Sequence, residues 1–262
     1  EQADLLQVMF GRNGEAPVPV LAAQSPADCF PTALEAVQFA VKYRTPVVIL
    51  SDGYIANGAE PWLSPDLSAI PPIDPEFADA ANATDKAGEP VFLPYLRDPQ
   101  TLARPWAIPG TTGLQHRIGG IEKAKDTGAV SYDPANHEEM VRIRQAKIDG
   151  IVKDIPDLIV DDPADSDGRR ARVLVLGWGS TYGPIVAAAR RVRKTGRLIA
   201  YTHLRHLNPF PANLGEILRS YDRVIVPEMN LGQLALLLRA RYLVDIRSYS
   251  RVRGLPISLS EL

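Results

Sequence analysis

Between residues 173 and 228 the chain alternates short apolar runs with amphipathic stretches, and each apolar run ends in a loop rich in glycine, histidine or proline. The runs cover residues 173–176, 198–202 and 224–227. Strand, helix, strand at this spacing predicts a parallel sheet with covered faces, because parallel neighbours need a long crossover. Ligand and partner contacts of such sheets gather at the carboxyl ends of the strands. The loops to read for function are therefore 177–180, 203–211 and 228–232.

The first helix of this unit begins at Thr181 or Tyr182, turns Ile185, Ala188, Ala189 and Val192 to the sheet, and ends at Gly196. Leu214, Ile217 and Leu218 mark a second helix, Leu234, Leu237 and Leu238 a third, and residues 243–246 a final short strand. A second β-α-β unit opens the chain. Ala3, Leu5, Leu6, Met9 and Phe10 follow helical spacing, a glycine turn covers 11–15, and strands are expected at 18–22 and 46–50. Between those strands, Ser25-Pro26-Ala27-Asp28 starts a helix with a capping hydroxyl, a proline and an acid. Phe30, Ala33, Leu34, Val37, Ala40 and Val41 mark its apolar face.

Ten of the chain's 23 prolines fall between Pro61 and Pro109, a density through which regular elements cannot run far. Interspersed aromatics argue for an ordered connector rather than disorder. Within it Asn136-His137-Glu138-Glu139 caps a helix reaching about Asp154, with a thin apolar stripe, and the acidic stretch 161–168 is a boundary. The fold class is α/β in three parts: residues 1–62, a connector at 63–168, and 169–262. The chain opens without methionine as though partway into a helix, and its end resembles the start of another, so a fragment of something longer is expected.

With 29 basic and 31 acidic residues the chain carries no electrostatic footprint for nucleic acid. No apolar run approaches the roughly 20 residues that cross a bilayer. Cys29 is the only cysteine, and it cannot hold an iron–sulfur cluster, which takes about four thiolates. A reducing, cytoplasmic setting is the default.

Gly177-Trp178-Gly179-Ser180-Thr181-Tyr182-Gly183 invites a dinucleotide reading, but Tyr182 stands where the third glycine belongs and no acid ends the next strand. What remains is a turn whose glycines let another surface approach closely. His203 and His206 lack a nearby carboxylate or cysteine, so no metal is assigned. Arg12, in a glycine turn, offers a fork suited to a carboxylate or to a surface ion pair. Cys29 reads as a packed core thiol. Glu228 follows a buried strand and is either a catalytic acid or the anchor of a loop or subunit contact; the contact is favoured. No Ser/His/Asp set, P-loop or cysteine cluster appears, and no catalytic residue is assigned.

Several segments converge on one family. Glu1-Gln2-Ala3-Asp4-Leu5-Leu6, Phe10-Gly11-Arg12-Asn13-Gly14-Glu15, Ser51-Asp52-Gly53-Tyr54 and Glu60-Pro61-Trp62 resemble the pyrimidine-binding domain of 2-oxoacid:ferredoxin oxidoreductase alpha subunits. Residues 113–122 and Tyr132-Asp133-Pro134-Ala135-Asn136-His137 resemble that family's connector. Residues 176–183, Leu207-Asn208-Pro209-Phe210-Pro211 and 227–234 resemble its second domain, which is similar to the transketolase C-terminal domain. The 2-oxoglutarate branch is the closest match. The resemblance implies thiamine diphosphate, Mg2+ and a 4Fe–4S cluster, the last two held by a beta subunit. It also implies oxidative decarboxylation of a 2-oxoacid to its acyl-CoA, with coenzyme A as co-substrate and ferredoxin as acceptor. On it, Gln2 and Asn13 are assigned to the cofactor and Arg12 to the distal carboxylate of a dicarboxylic substrate. His203, Asn208 and Glu228 are assigned to a neighbouring subunit. The family's aminopyrimidine glutamate would lie upstream of Glu1, and its usual histidine is replaced by Asn13, which cannot titrate near neutral pH. Two other classes stay open: a transketolase or 2-oxoacid dehydrogenase type of thiamine enzyme, and a non-catalytic nucleotide-binding module.

Overall fold

The computed structural model describes residues 2–262; Glu1, which opens the first resemblance motif, lies outside them. Helix α1 (Leu5–Phe10) leads through the glycine turn to β1 (Val20–Ala22), α2 (Cys29–Tyr43), β2 (Val48–Leu50) and α3 (Gly53–Asn57). The connector holds only a short hairpin, β3 (Ala83–Thr84) with β4 (Pro90–Val91), before α4 (Pro134–Gly150). The last third runs β5 (Val173–Trp178), α5 (Tyr182–Arg193), β6 (Ala200–Leu204), β7 (His206–Asn208), α6 (Leu214–Arg219), β8 (Arg223–Glu228), α7 (Gln233–Tyr242) and β9 (Ile246–Ser250).

Four strands form the parallel sheet, in the order β6-β5-β8-β9. Leu174, Leu176, Leu204, Leu214 and Leu218 are fully buried around it. Burial of each such side chain contributes about 1.5–3 kcal/mol. The final strand lies later than hydropathy indicates. Leu243 takes a left-handed backbone (φ 53°) that stops α7, and the pairing strand begins at Ile246. As an edge strand whose residues Arg247, Ser248 and Ser250 are exposed, β9 carries little apolar signal.

The stretch after β6, expected as loop, contains β7. It leaves its own unit and pairs antiparallel with β1, which pairs parallel with β2 on its other side. Side chains alternate across β1, so its two faces enter different cores. Val20 and Ala22 join one cluster with Leu5, Leu50 and the core of the four-stranded sheet. Leu21 joins Ala36, Phe39, Tyr43, Ile148, Ile151 and Ile155. Helix α4, read as part of a connector, thus closes the far side of the first unit, with Tyr43 Oη donating to Asp154 at 2.8 Å.

Three local expectations shift. Helix α4 is capped by Asp133, which accepts the Ala135 N–H at 2.9 Å, not by the Asn136 segment. Helix α2 begins at Cys29, after a turn at Ser25–Asp28 in which the Cys29 N–H reaches the Pro26 carbonyl at 3.2 Å. Its buried side is Thr32, Ala36, Phe39 and Tyr43, while Phe30 and Val37, placed on the core face by periodicity, are 36% and 50% exposed. Two apolar stripes run along this helix, and only one meets the core of this chain.

Candidate functional site

The strand order changes direction between β5 and β8, since β6 is added on one side of β5 and β8 on the other. The crevice at such a switch point is where α/β sheets place ligands. Here residues 2–6 of the first unit lie in it. Asn230, past the end of β8, donates from Nδ2 to the Gln2 carbonyl at 2.7 Å. Gln233, opening α7, donates to the Ala3 carbonyl at 2.6 Å and accepts the Leu6 N–H at 2.9 Å.

Glycine makes this approach possible. Gly179 sits at φ +58°, and a Cβ there would fall 2.0–2.4 Å from the Gln2 carboxamide atoms. The close approach expected of this turn is therefore made by Gln2, which is 2% exposed and whose buried Nε2 has no hydrogen-bond partner. Next to Gly179, Ser180 Oγ donates to the buried Asp52 carboxylate at the head of α3. Asp52 also accepts the Ile55 N–H at 3.0 Å. Gln2, Asp52 and Ser180 form a polar junction between the units.

Glu228 has no exposed surface with which to meet a second chain. Its carboxylate accepts the Trp178 indole N–H at 3.2 Å and the Leu234 and Ala235 N–H groups at 2.8 and 3.1 Å. It locks the first turn of α7 to β5, and burial pushes its carboxyl above the ordinary range despite these donors. His203 is also turned inward. Its Nε2–H donates to the Gly179 carbonyl at 3.0 Å, leaving Nδ1 enclosed without a donor, although part of the residue reaches the surface. Burial holds this imidazole neutral, with a pKa lowered to about 3. Asn208 spends its amide on the Val18 carbonyl at 2.7 Å, tying β7 to the first unit.

The Arg12 fork is closed on two backbone carbonyls that flank its turn, Val8 in α1 and Ala16. Arg12 and Asn208 line the same cavity of about 450 Å3, with Phe10 and Phe210. Asn13 is exposed on the turn, and the six residues of α1, about 9 Å of helix, separate that turn from Gln2. The structure therefore brings Arg12 to Asn208 and Gln2 to Gly179, but not Asn13 to Gln2. Cys29 is half-buried, its Sγ facing the Ser25 carbonyl at 3.5 Å, and burial followed by Asp28 and Glu60 raises its thiol.

A further polar latch escapes sequence reasoning. Arg205 pairs with Asp28 and reaches Glu35 at 3.5 Å, and His206 Nε2 meets Glu35 at 2.8 Å. Burial alone would raise the Glu35 carboxyl, but His206 and Arg205 take it below its usual value. The sequence signal was only an Arg-His pair in a loop, with partners about 170 positions away.

Residues 1–133 match the pyruvate flavodoxin/ferredoxin oxidoreductase, thiamine diphosphate-binding family, which is half of the chain. The chain belongs to this family. Residues 171–255 match the pyruvate:ferredoxin oxidoreductase core domain II. A relative from Mycobacterium tuberculosis, 2-oxoglutarate oxidoreductase subunit KorA, is 60% identical over the full chain, which covers 38% of that protein. The alpha subunit of 2-oxoacid:ferredoxin oxidoreductase 1 from Aeropyrum pernix is 32% identical over the full chain and 40% of its own length. A solved 2-oxoglutarate:ferredoxin oxidoreductase from Magnetococcus marinus, with 2-oxoglutarate, coenzyme A and succinyl-CoA bound, superposes with TM-score 0.86 at 30% identity. That match covers 99% of this chain and 43% of that one. The chain thus spans about two fifths of the length of these two curated relatives. Among the described residues no helix is long and apolar enough to cross a membrane.

Proposed function

We propose that this chain is part of the alpha subunit of a 2-oxoglutarate:ferredoxin oxidoreductase and forms the pyrimidine-side wall of a thiamine diphosphate pocket shared with a beta subunit. The observation that carries the wall is the polar junction at the switch point, where Gln2 brings a buried, unpartnered amide donor against Gly179, next in sequence to the Ser180 that bonds Asp52. A donor and a carboxylate of this kind fit the polar edge of an aminopyrimidine. The 60% identity of this chain to part of a 2-oxoglutarate oxidoreductase subunit supports the choice of substrate.

When bound, the coenzyme supplies the electron sink for decarboxylating a 2-oxo acid. The protein's own part is to orient and to exclude water. Asn230 and Gln233 fix the segment that carries Gln2, Glu228 fixes the helix that carries Gln233, and Asp52 fixes Ser180. Cys29 is this chain's only cysteine and cannot supply the about four thiolates of a 4Fe–4S cluster, and Mg2+ would sit with the coenzyme's phosphates. We assign both to the beta subunit. Coenzyme A and ferredoxin are the proposed co-substrate and acceptor, and the cytoplasm the proposed location.

Arg12 and Asn13 remain our candidates for the substrate and cofactor side. A guanidinium engaged with two carbonyls reaches a substrate carboxylate only by releasing them. The second apolar stripe of α2 (Phe30, Val37) and the outer edge of β2, where Ile49 is 38% exposed, are where we expect the rest of the complex to pack.

The test is coenzyme A-dependent ferredoxin reduction by the complete purified complex. The proposal expects kcat/KM for 2-oxoglutarate at least about tenfold above that for pyruvate, a difference of about 1.4 kcal/mol in transition-state binding, and a narrowed gap in Arg12→Ala. Preference for pyruvate would remove the substrate assignment, and unchanged discrimination in Arg12→Ala would remove the role of Arg12.

A further inference from the structure

Away from that junction, the left-handed end of α2, the connector and α4 enclose a cavity of about 230 Å3. Six cations line it: Arg44, Arg97, Arg104, Lys123, Arg144 and Lys147. Glu122 is the one carboxylate among the lining residues. All six cations are half-buried. Gathering like charges out of water is unfavourable unless an opposite charge joins them.

Among the described residues none of the six forms an ion pair, and the one lining carboxylate, Glu122, acts on Arg144 only at longer range. The close polar pairs of this region belong to other side chains, Lys125 with Glu139 and His137 with Glu122. Four of the six are tied to backbone. Arg44 donates to the Val41 carbonyl at 2.7 Å and lies over the Trp106 ring at 4.1 Å. Arg97 donates to the Lys125 carbonyl at 3.2 Å, and Lys123 to Gly120 and Ile121 at 2.9 and 3.0 Å. Lys147 has only the Arg44 carbonyl at 3.4 Å, and Arg104 only the face of Tyr95 at 5.5 Å. Arg144 projects from α4 one helical turn before Lys147, on the same side as the buried Met140. The carboxylates that act on this group are Glu122 of the lining toward Arg144 and, from outside, Asp74 and Glu76 toward Arg44 and Asp126 toward Arg97. Burial and then the charges of Arg97, Arg104 and Arg144 bring the Lys147 ammonium down to about 8, the mark of a site short of negative charge.

We propose that this cavity binds a phosphate group, either free or carried by a small molecule. A phosphate brings about −1.5 to −2 charges at neutral pH, which suits the excess better than one carboxylate. Arginine forks and a lysine point charge are the donors that recognise it. The proposal does not rest on the thiamine reaction, because the cavity lies between α2, α4 and the connector rather than at the polar junction.

The test is calorimetry on the complete complex, titrated separately with inorganic phosphate, pyrophosphate, glycerol 3-phosphate and acetate at matched ionic strength. The proposal expects saturable binding of at least one phosphate compound and none of acetate. Arg104→Gln, Arg144→Gln and Lys147→Met should each weaken it about tenfold, with Arg142→Gln, exposed and paired with Glu138, as the unaffected control. Tighter binding of glycerol 3-phosphate than of the inorganic ions assigns the site to a carried phosphate, and the reverse to a free one. No saturable phosphate binding would overturn the proposal, as would binding equally strong in the three variants. A cavity filled by an acidic side chain of a neighbouring segment would show as lost thermal stability in the variants without any phosphate response, and that result also overturns it. Melting curves identify any variant that fails to fold, and the remaining two then decide.

Discussion

His203 makes the first unit's contact sensitive to acid, and the structure sets the size of the effect. Its Nε2–H is committed to the Gly179 carbonyl, and its enclosed Nδ1 meets no acceptor that could receive a second N–H. Protonating the folded ring therefore requires a pH near 3, against 6.5 for the free side chain. A base whose folded pKa is lowered binds fewer protons folded than unfolded, so stability is complete above 6.5 and falls as pH drops toward 3. At pH 4.5 the unfolded ring is charged and the folded ring is not, which removes about 3 kcal/mol. Urea unfolding at pH 7 and pH 4.5 measures the loss. The control is His203→Gln, whose amide can keep the bond to Gly179 and does not titrate. Other groups titrate equally in both proteins, so the wild type should lose about 3 kcal/mol more than the variant between the two pH values. Equal losses, or a His203 ring that NMR finds charged at pH 5, would refute the reasoning.

Gly179→Ala should displace Gln2 and strain a left-handed position by about 1–2 kcal/mol, seen as a lower melting temperature together with a larger loss of turnover. Glu228→Gln sets an amide N–H2 against the Leu234, Ala235 and Trp178 donors and should cost about 1–3 kcal/mol in urea unfolding. Because the Glu228 carboxyl is raised in the fold, wild-type stability should fall as pH rises from the ordinary carboxylate value toward the folded one, and the variant should lack that contribution. Arg205→Ala leaves Asp28 without its cation and Glu35 with His206 alone, and should cost about 2 kcal/mol, discounted from the fully buried case because the arginine is 34% exposed. The Glu35 carboxyl is lowered, so the latch should weaken as pH falls through the carboxylate range, measurable as the pH dependence of that difference.

The parallel sheet was legible because β5, β6 and β8 each overlap a mostly apolar run, at 173–176, 198–202 and 224–227, between amphipathic helices. β7 was not, because His206, Leu207 and Asn208, just before Pro209 and Pro211, read as loop and pair with a strand almost 190 positions away. The buried face of α2 was misplaced because two apolar stripes compete and hydropathy does not say which one the same chain covers. Of the site, the Gly177–Ser180 turn and its close approach were readable from the glycines. The inward turn of Glu228 and His203 was not, since their partners are backbone N–H and carbonyl groups, which sequence does not display. Asp52 was visible at the head of a turn, but its bond to Ser180 crosses 128 positions. The cations of the second cavity are scattered over about 100 residues and meet only in the fold.

The most direct test of a pocket completed by two chains is to express the whole protein that contains this segment with and without its beta subunit, and to measure thiamine diphosphate binding and ferredoxin reduction by 2-oxoglutarate. Turnover and tight coenzyme binding are expected only when both chains are present. Full turnover by the alpha polypeptide alone would contradict the account.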